Sequence, residues 1–274
     1  MAVISLTTDF GDQDEYVGVM KGVILAAAPG CRVVDLCHRI APQNVAQAAF
    51  MIEAAFRHFP SRTLHVLVVD PGVGGQRRIL YAEAEAHRFL CPDNGLLTRV
   101  DQRTGLTRLR EVTNRALFRP SVSPTFHGRD ILAPVAAFLI QGGDPAEVGS
   151  AIQAAEIVRL RGWEPRCGDD GRLHGRIISA DRFGNLITNI DADLLAPMLA
   201  DNPKRSLQIA VGRELTTHLH DAYEEALPGT AIAIIGSRQT LEIAVNRGNA
   251  RDYLQVESGR TVTVRRAETA GGEG

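Results

Sequence analysis

In the stretch VVDPGVGGQRR (68–78), an acid and a base, Asp70 and Arg77, stand seven residues apart across a glycine-rich turn. Such turns often cradle phosphate, but a Walker loop needs lysine and then Ser/Thr after its last glycine, and neither follows Gly75. The dinucleotide fingerprint needs G-x-G-x-x-G opening a helix, whereas QRRILYAEAEA (76–86) has a strand's pattern. Asp9 also ends an apolar run, AVISLTTD (2–9). Ligands of open α/β sheets collect at the carboxyl ends of the strands, so Asp9 and Asp70 are expected to share one crevice. TFHGRD (125–130) adds His127 just before a helix. Each residue alone has an ordinary reading: a strand-end Asp as cap or turn former, His127 as a capping or packing residue, Arg77 as a solvated charge.

DRFGNLITNI (181–190) offers Asp181, Phe183 and Asn185 in alternation, which places them on one face if the segment is extended. A carboxylate, a ring and an amide together suit an ammonium, a flat heterocycle and its hydrogen-bonding edge. The competing reading is a hairpin in which Gly184 forms a bulge and Phe183 is core. IGSRQTLEIAVN (235–246) brings Ser237 at a turn and Glu242 inside an apolar strand. Simple alternation puts Glu242 in solvent and leaves Ser237 a turn residue. Two apparent metal motifs are weaker. Asp12 and Asp14 in DFGDQDE precede an apolar helix, where acids serve as caps and dipole partners. His218 and His220 in HLHD lack distant third and fourth ligands, so no metal site is expected.

The elements that must position these groups fall into two blocks. Up to about residue 165 β-like and α-like patterns alternate, the mark of an α/β layer with a largely parallel sheet. Strands are expected at 2–9, 32–37, 63–70 and 78–86. Helices are expected in DEYVGVMKGVILAAAPG, with Tyr16, Val19, Met20, Val23 and Ile24 on one face, in NVAQAAFMIEAAFRHFP, with Val45, Ala49, Ile52 and Phe56, and over 128–143. Pro134 should lie in the first turns of the last helix or kink it. RGWEPRCGDDGRLHG (161–175) is rich in glycine, proline and charge and reads as a linker region. Short β runs follow, with one weakly helical patch near 192–202, which reads as a compact all-β module. The expected organisation is an N-terminal α/β domain over 1–163, a linker over 164–173 and a smaller, barrel-like β domain over 174–274. The tail TAGGEG is expected to fray.

The chain has 274 residues, 45% of them apolar and 23% charged, enough for a sizeable core. A net charge of −2 without polybasic runs argues against nucleic acid and membrane surfaces as partners. No apolar stretch is long enough to span a bilayer, and MAVISLTTDFGD lacks the basic start of a signal peptide. The four cysteines (Cys31, Cys37, Cys91, Cys167) form no CxxC pair, so reduced thiols and a cytoplasmic location are expected.

TTDFG, VDPGVG…R, PDNGLL (92–97), TFHGRD, DRFGN and the late GS…LEIAVN.GNA occur in this order from about residue 3 to 250. Together they resemble the S-adenosyl-L-methionine (SAM) hydroxide adenosyltransferases, the adenosine-forming SAM hydrolases, relatives of SAM-dependent fluorinase and chlorinase. The resemblance implies an N-terminal α/β domain joined to a barrel-like C-terminal domain. It also implies a homotrimer with SAM held between the N-domain of one subunit and the C-domain of its neighbour. The hydrolase branch is marked by an Asp–Arg–His set, and Asp70, Arg77 and His127 fall on it. Halogenating relatives carry an aromatic residue at the place of Asp70 and a tryptophan at that of Gln43. For the substrate, the resemblance implies Asp9 at the ribose hydroxyls, Phe183 on adenine, Asn185 at its edge and Val245 lining the pocket. The methionine ammonium is expected at Asp181 or Glu242, and its carboxylate at Ser237.

The chemistry so implied is attack of water on C5′ of SAM, giving adenosine and L-methionine with SAM as substrate and no cofactor. The sulfonium leaves as a neutral thioether and needs no general acid. Water, with a pKa of about 15.7, is the weak partner. An arginine at ~4 Å and an effective dielectric of ~20 attracts hydroxide by roughly 4 kcal/mol, about three pK units. A base must therefore also take the proton, which suits His127, with Asp70 orienting it or holding the water. The alternatives are a SAM-dependent chlorinase and a non-catalytic SAM or adenosine sensor.

Overall fold

The computed structural model describes residues 2–199, 207–211, 214–217 and 219–266. The chain divides into two units, 1–160 and 161–274, each with its own core.

In the first unit β1 (Val3–Thr8), β2 (Arg32–Cys37) and β3 (Leu64–Val68) alternate with α1 (Tyr16–Ala27) and α2 (Val45–Ala55). They are followed by β4 (Ile79–Ala84), β5 (His87–Pro92), α3 (Thr98–Thr104), β6 (Arg108–Glu111) and α4 (Ala133–Ile140). The sheet order is β2-β1-β3-β5-β4-β6, with β2, β1, β3 and β5 parallel and β4 antiparallel to both its neighbours. The four expected strands are present; β5 and β6 are additional. α1 and α4 pack on one face of the sheet and α2 and α3 on the other. β1 and β3 are therefore covered on both sides, which is why their residues are buried without alternation.

α1 buries Val17, Met20 and Ile24, with Val23 at the margin, while Tyr16 is exposed. The stripe is thus rotated by one residue from the expected one. Asp12 does not cap α1; it forms an exposed ion pair with Arg39 at 2.6 Å. In α2, Ala49, Ile52 and Phe56 face the core as expected, and Asn44 caps the helix by accepting from the Gln47 amide. The expected helix 128–143 is split. Gly128–Leu132 is a π turn closed by Ala133 N–H to the Gly128 carbonyl, and α4 begins behind it. Pro134 sits in the first turn of α4, where its missing N–H leaves no gap in the ladder.

The chain runs from β1 out to β2 and crosses back to β3 on the other side of β1. Between β1 and β3 lies the point where connections depart to opposite sides, the usual place for a ligand crevice. Thr8 and Val68 stand in register there, so the segments carrying Asp9 and Asp70 leave the sheet side by side.

The second unit has β7 (Arg166–Cys167), β8 (Leu173–Ala180), β9 (Leu186–Asp191), α5 (Ala192–Leu199), β10 (Leu207–Val211) and β11 (Glu214–Thr217). β12 (Leu219–His220), β13 (Ala231–Ile235), β14 (Thr240–Val245), α6 (Ala250–Leu254) and β15 (Thr261–Arg266) complete it. The strands form a barrel-like sheet in the order β11-β10-β15-β8-β9-β14-β13-β12. β8 bends to serve two partners, its first half pairing with β15 and its second with β9. The stretch 164–173, expected as linker, contains β7, which pairs back onto β8. The tail 269–274 and His218 lie outside the described residues, and no helix among those residues is long and apolar enough to cross a membrane.

Beneath α2 the sheet buries a chain of polar rings. Ser5 Oγ lies 2.6 Å from His65 Nδ1, and His65 Nε2 lies 3.3 Å from His87 Nδ1. Phe56, Phe59 and Phe89 surround His65. Burial, with the charge His87 would carry, drives the His65 pKa down to about 3. Folded His65 is neutral where the unfolded chain, near 6.5, takes up a proton, so stability falls as pH drops from 6.5 toward 3. At pH 5 this amounts to about 2 kcal/mol. Hydrogen exchange of β1 and β3 amides should show an opening free energy lower by about that amount at pH 5 than at pH 7. His65→Asn should flatten the dependence, and an equally steep slope in the variant would show that His65 is not its source.

Candidate active site

The first cluster sits where β3 ends. Asp70 Oδ2 accepts two hydrogen bonds from Arg77, from Nε at 2.8 Å and Nη2 at 2.6 Å. Arg77 Nη2 also lies 2.8 Å from His127 Nδ1. The side chains of Asp70 and Arg77 are only 5% and 12% exposed, so this pair is desolvated and each charge depends on the other. Arg77 is the middle member. Asp70 orients the guanidinium rather than the imidazole, because the 70–77 turn folds the arginine back onto the acid that began it.

That turn is closed by Val73 N–H to the Asp70 carbonyl and Gly75 N–H to the Gly72 carbonyl. Gly74, at φ +77°, lies so close to the Pro124 carbonyl that a Cβ would overlap it. The turn is thereby pressed against the segment that delivers His127. Fully buried Asp130 anchors that segment, accepting from Ser123 N–H at 2.9 Å and from Arg129 at 2.7 and 2.8 Å. Asp130 was not singled out from sequence, although TFHGRD contains it. An acid in the first turn of the expected helix, just ahead of an apolar run, is its only signal in the sequence.

A guanidinium has donors only, so His127 Nδ1 must present its lone pair to Arg77, and the ring's proton resides on Nε2. Burial first, and then the Arg77 charge, holds the His127 pKa below the usual histidine value, against the opposing pull of Asp70 and Asp130. His127 is a neutral ring with its basic nitrogen next to a fixed cation. That lone pair is taken by Arg77 in this arrangement, so a water can be both stabilised as hydroxide and relieved of a proton only by inserting in place of the direct Arg77–His127 hydrogen bond.

Asp9 leaves β1 at the same sheet edge. Its Oδ2 accepts the backbone N–H of Gln43 at 2.8 Å. Gln43 adopts φ +64°, an uncommon conformation for a residue with a side chain, and that hydrogen bond ties it to Asp9.

The second cluster belongs to the C-terminal unit. Asp181, Phe183, Asn185, Ser237, Glu242 and Val245 all line one cavity of about 820 Å³, within the range of small-molecule sites. The segment 181–185 is a turn, not an extended run. Asp181 Oδ1 accepts from the backbone N–H groups of Phe183 (2.8 Å) and Asn185 (2.9 Å), and Oδ2 from Asn185 Nδ2 (3.0 Å). Gly184 supplies the turn's φ of +87°. Phe183 is 76% exposed at the cavity mouth, so the core reading fails.

Glu242 is not in solvent either; it is 5% exposed. It lies in β14 between Ile234 of β13 and Ile187 of β9, and its carboxylate packs on the Cα of Gly236, where a Cβ would overlap it. The outer face of β13 and β14 is covered by the 222–226 segment, through Ala226 against Ile232, Ile234 and Ala244. Burial, and then the neighbouring Asp181, raises the Glu242 pKa, while Arg238 and Tyr223 act in the opposite direction. Tyr223 and Arg238 line the cavity and were missed from sequence. Arg238 adjoins Ser237 in the same turn and was discoverable; Tyr223 in HDAYEEAL gave no signal. His220 lies near Glu225 at 3.4 Å, and among the described residues no three His, Cys, Asp or Glu side chains cluster at metal-binding distance.

Residues 4–149 match the family described as the SAM hydroxide adenosyltransferase N-terminal domain, and residues 175–263 match its C-terminal domain. The chain is 36% identical to an (R)-S-adenosyl-L-methionine hydrolase of Salinispora tropica, over 95% of this chain and 97% of that one. It is 34% identical to the protein of the same name from Thermus thermophilus, over 96% and 99% of the two chains. Fluorinases match at lower identity. The crystal structure of an uncharacterized conserved protein from Thermotoga maritima superposes with a TM-score of 0.88 at 34% identity, covering 96% of this chain and all of that one. With both of its domains matched in order, the chain belongs to the SAM hydroxide adenosyltransferase family.

Proposed function

We propose that this enzyme hydrolyses SAM to adenosine and L-methionine. The observation that carries the reading is the Asp70–Arg77–His127 chain at the end of β3. A water that displaces the direct 2.8 Å hydrogen bond between Arg77 and His127 would accept from the guanidinium and donate to the Nδ1 lone pair so released. As its oxygen bonds to C5′ the C5′–S bond breaks, methionine leaves as a thioether, and the water's proton passes to His127. Asp70 keeps Arg77 in line, so that its charge is aimed at the attacking oxygen. The relatives named as SAM hydrolases support the same reading. No cofactor and no metal takes part in it.

The remaining groups suit the substrate's parts. Asp9 would take the ribose hydroxyls, Phe183 would stack on adenine beside Val245, and Asn185 would meet its edge. Both oxygens of Asp181 are engaged in building its turn. Glu242 is therefore the acid we assign to the methionine ammonium, with Ser237 and Arg238 toward the carboxylate. We further propose a homotrimer in which SAM lies between the N-terminal unit of one subunit and the C-terminal unit of its neighbour. A phenyl ring left 76% exposed at the cavity mouth fits a site completed by another chain. The free cysteines fit a cytoplasmic setting.

Incubation with SAM in chloride-free buffer containing EDTA should release adenosine and methionine in equal amounts, resolved by chromatography. Intact SAM would sink the proposal, and conversion to 5′-chloro-5′-deoxyadenosine on adding chloride would replace water by halide. His127→Ala or Arg77→Ala should lower kcat by about 10²–10⁴-fold with a small change in KM; unchanged turnover in both would remove the triad from the mechanism. Because the reactive form of His127 is neutral, kcat should hold at neutral pH and fall on the acid side, below the usual ~6.5. Arg77→Ala should move that limb upward in whatever activity remains, since the guanidinium helps depress the pKa. Mixing His127→Ala with Asn185→Ala protein, each nearly inactive, should restore part of the activity if subunits share sites; no recovery after confirmed subunit exchange would refute the shared arrangement.

A further inference from the structure

Tyr223 lies on a short 3-10 turn, Tyr223–Glu225, between β12 and β13. The segment is pinned three residues on, where Asn246 Nδ2 donates to the Ala226 carbonyl at 2.6 Å and Ala226 packs on β13 and β14. From there the tyrosine reaches back over the cavity. Its hydroxyl faces the Glu242 carboxylate and accepts from Asn185 Nδ2 at 3.4 Å.

A phenol carries one proton and two lone pairs, and an ionised carboxylate only accepts. The Tyr223 proton therefore points to Glu242, and what approaches the hydroxyl from Asn185 must be a donor. The second hydrogen of Asn185 Nδ2 is taken by Asp181 Oδ2 at 3.0 Å. With both N–H groups engaged, the amide has only its carbonyl oxygen left to offer the cavity it lines. Burial and the nearby charges of Glu242 and Asp181 keep Tyr223 a phenol, and hence a donor, across the working pH range. The charged groups facing Glu242 are Asp181 and Arg238, and neither supplies a proton to the hydroxyl.

We infer that Tyr223 is a positioning residue for nucleobase selection: by completing, with Asp181, the pair of acceptors that hold the Asn185 amide with its oxygen toward the ligand, it makes the cavity prefer a purine bearing an amino group over one bearing a carbonyl at that edge. This rests on the assignment of the cavity to the nucleoside half of SAM. It also links the two ends of the site, because one of the two groups that orient the amide is itself oriented by the carboxylate assigned to the ammonium.

The test is calorimetric binding of adenosine and of inosine, which differ in amino against carbonyl at the six-position. The wild-type protein should bind adenosine at least about tenfold more tightly, since a mismatched edge leaves a buried polar group unpaired. Tyr223→Phe should lower that ratio, because the amide then keeps only its hydrogen bond to Asp181 and is held less firmly in this sense. Glu242→Gln should lose it by a different route, since its amide can donate to the phenol and let the phenol donate to Asn185. A residue that only props the loop would weaken both nucleosides alike and leave the ratio intact, and that result in both variants would overturn the inference. If the wild-type protein hydrolyses SAM yet does not distinguish the nucleosides, the assignment of Asn185 falls instead.

Discussion

The desolvated pair of Asp70 and Arg77 is the interaction on which the N-terminal site depends. Neither charge is tolerable in that place without the other, because isolated ions lose far more on leaving water than a neighbouring dipole returns. The pair fixes the sense of the 70–77 turn and sets the guanidinium beside His127. It also decides the protonation state of the imidazole: a donor-only neighbour obliges Nδ1 to keep its lone pair. The imidazole is thus kept neutral by geometry, and its lone pair becomes available to a proton only when the hydrogen bond from Arg77 opens.

The C-terminal cavity follows a complementary logic. Its carboxylates differ in burden. Asp181 is consumed by the architecture of its turn, while Glu242 is buried on a strand with its charge poorly compensated, which is a receptive state for a cation. Polar groups around it form one connected set, in which each proton's direction constrains the next. Such networks are demanding, since one wrong orientation leaves a buried group unpaired.

The fold was legible wherever burial was uniform. The continuous apolar runs of β1 and β3 and the stripe of α2 announced an α/β layer, and hairpin signals announced the β module. The sequence was less informative where a residue's environment comes from afar. Glu242 looked like an outward-facing strand residue because nothing local says that 222–226 folds over that face. Phe183 read equally as core or as a ligand-facing ring, because an exposed ring at a cavity mouth has the same local pattern as a buried one. Tyr223 was invisible for the same reason. The triad's members were visible by type, but their order, with arginine in the middle, depends on a turn whose tightness Gly74 alone permits.

Thr8 and Val68 are paired by the parallel hydrogen bonds of β1 and β3, and neighbouring strands keep a spacing of about 4.8 Å. The acid assigned to the sugar and the acid that holds Arg77 therefore start from backbone positions measured by the sheet itself. The distance between the two starting points is thus set by main-chain hydrogen bonds, which no side chain of the surrounding layers supplies.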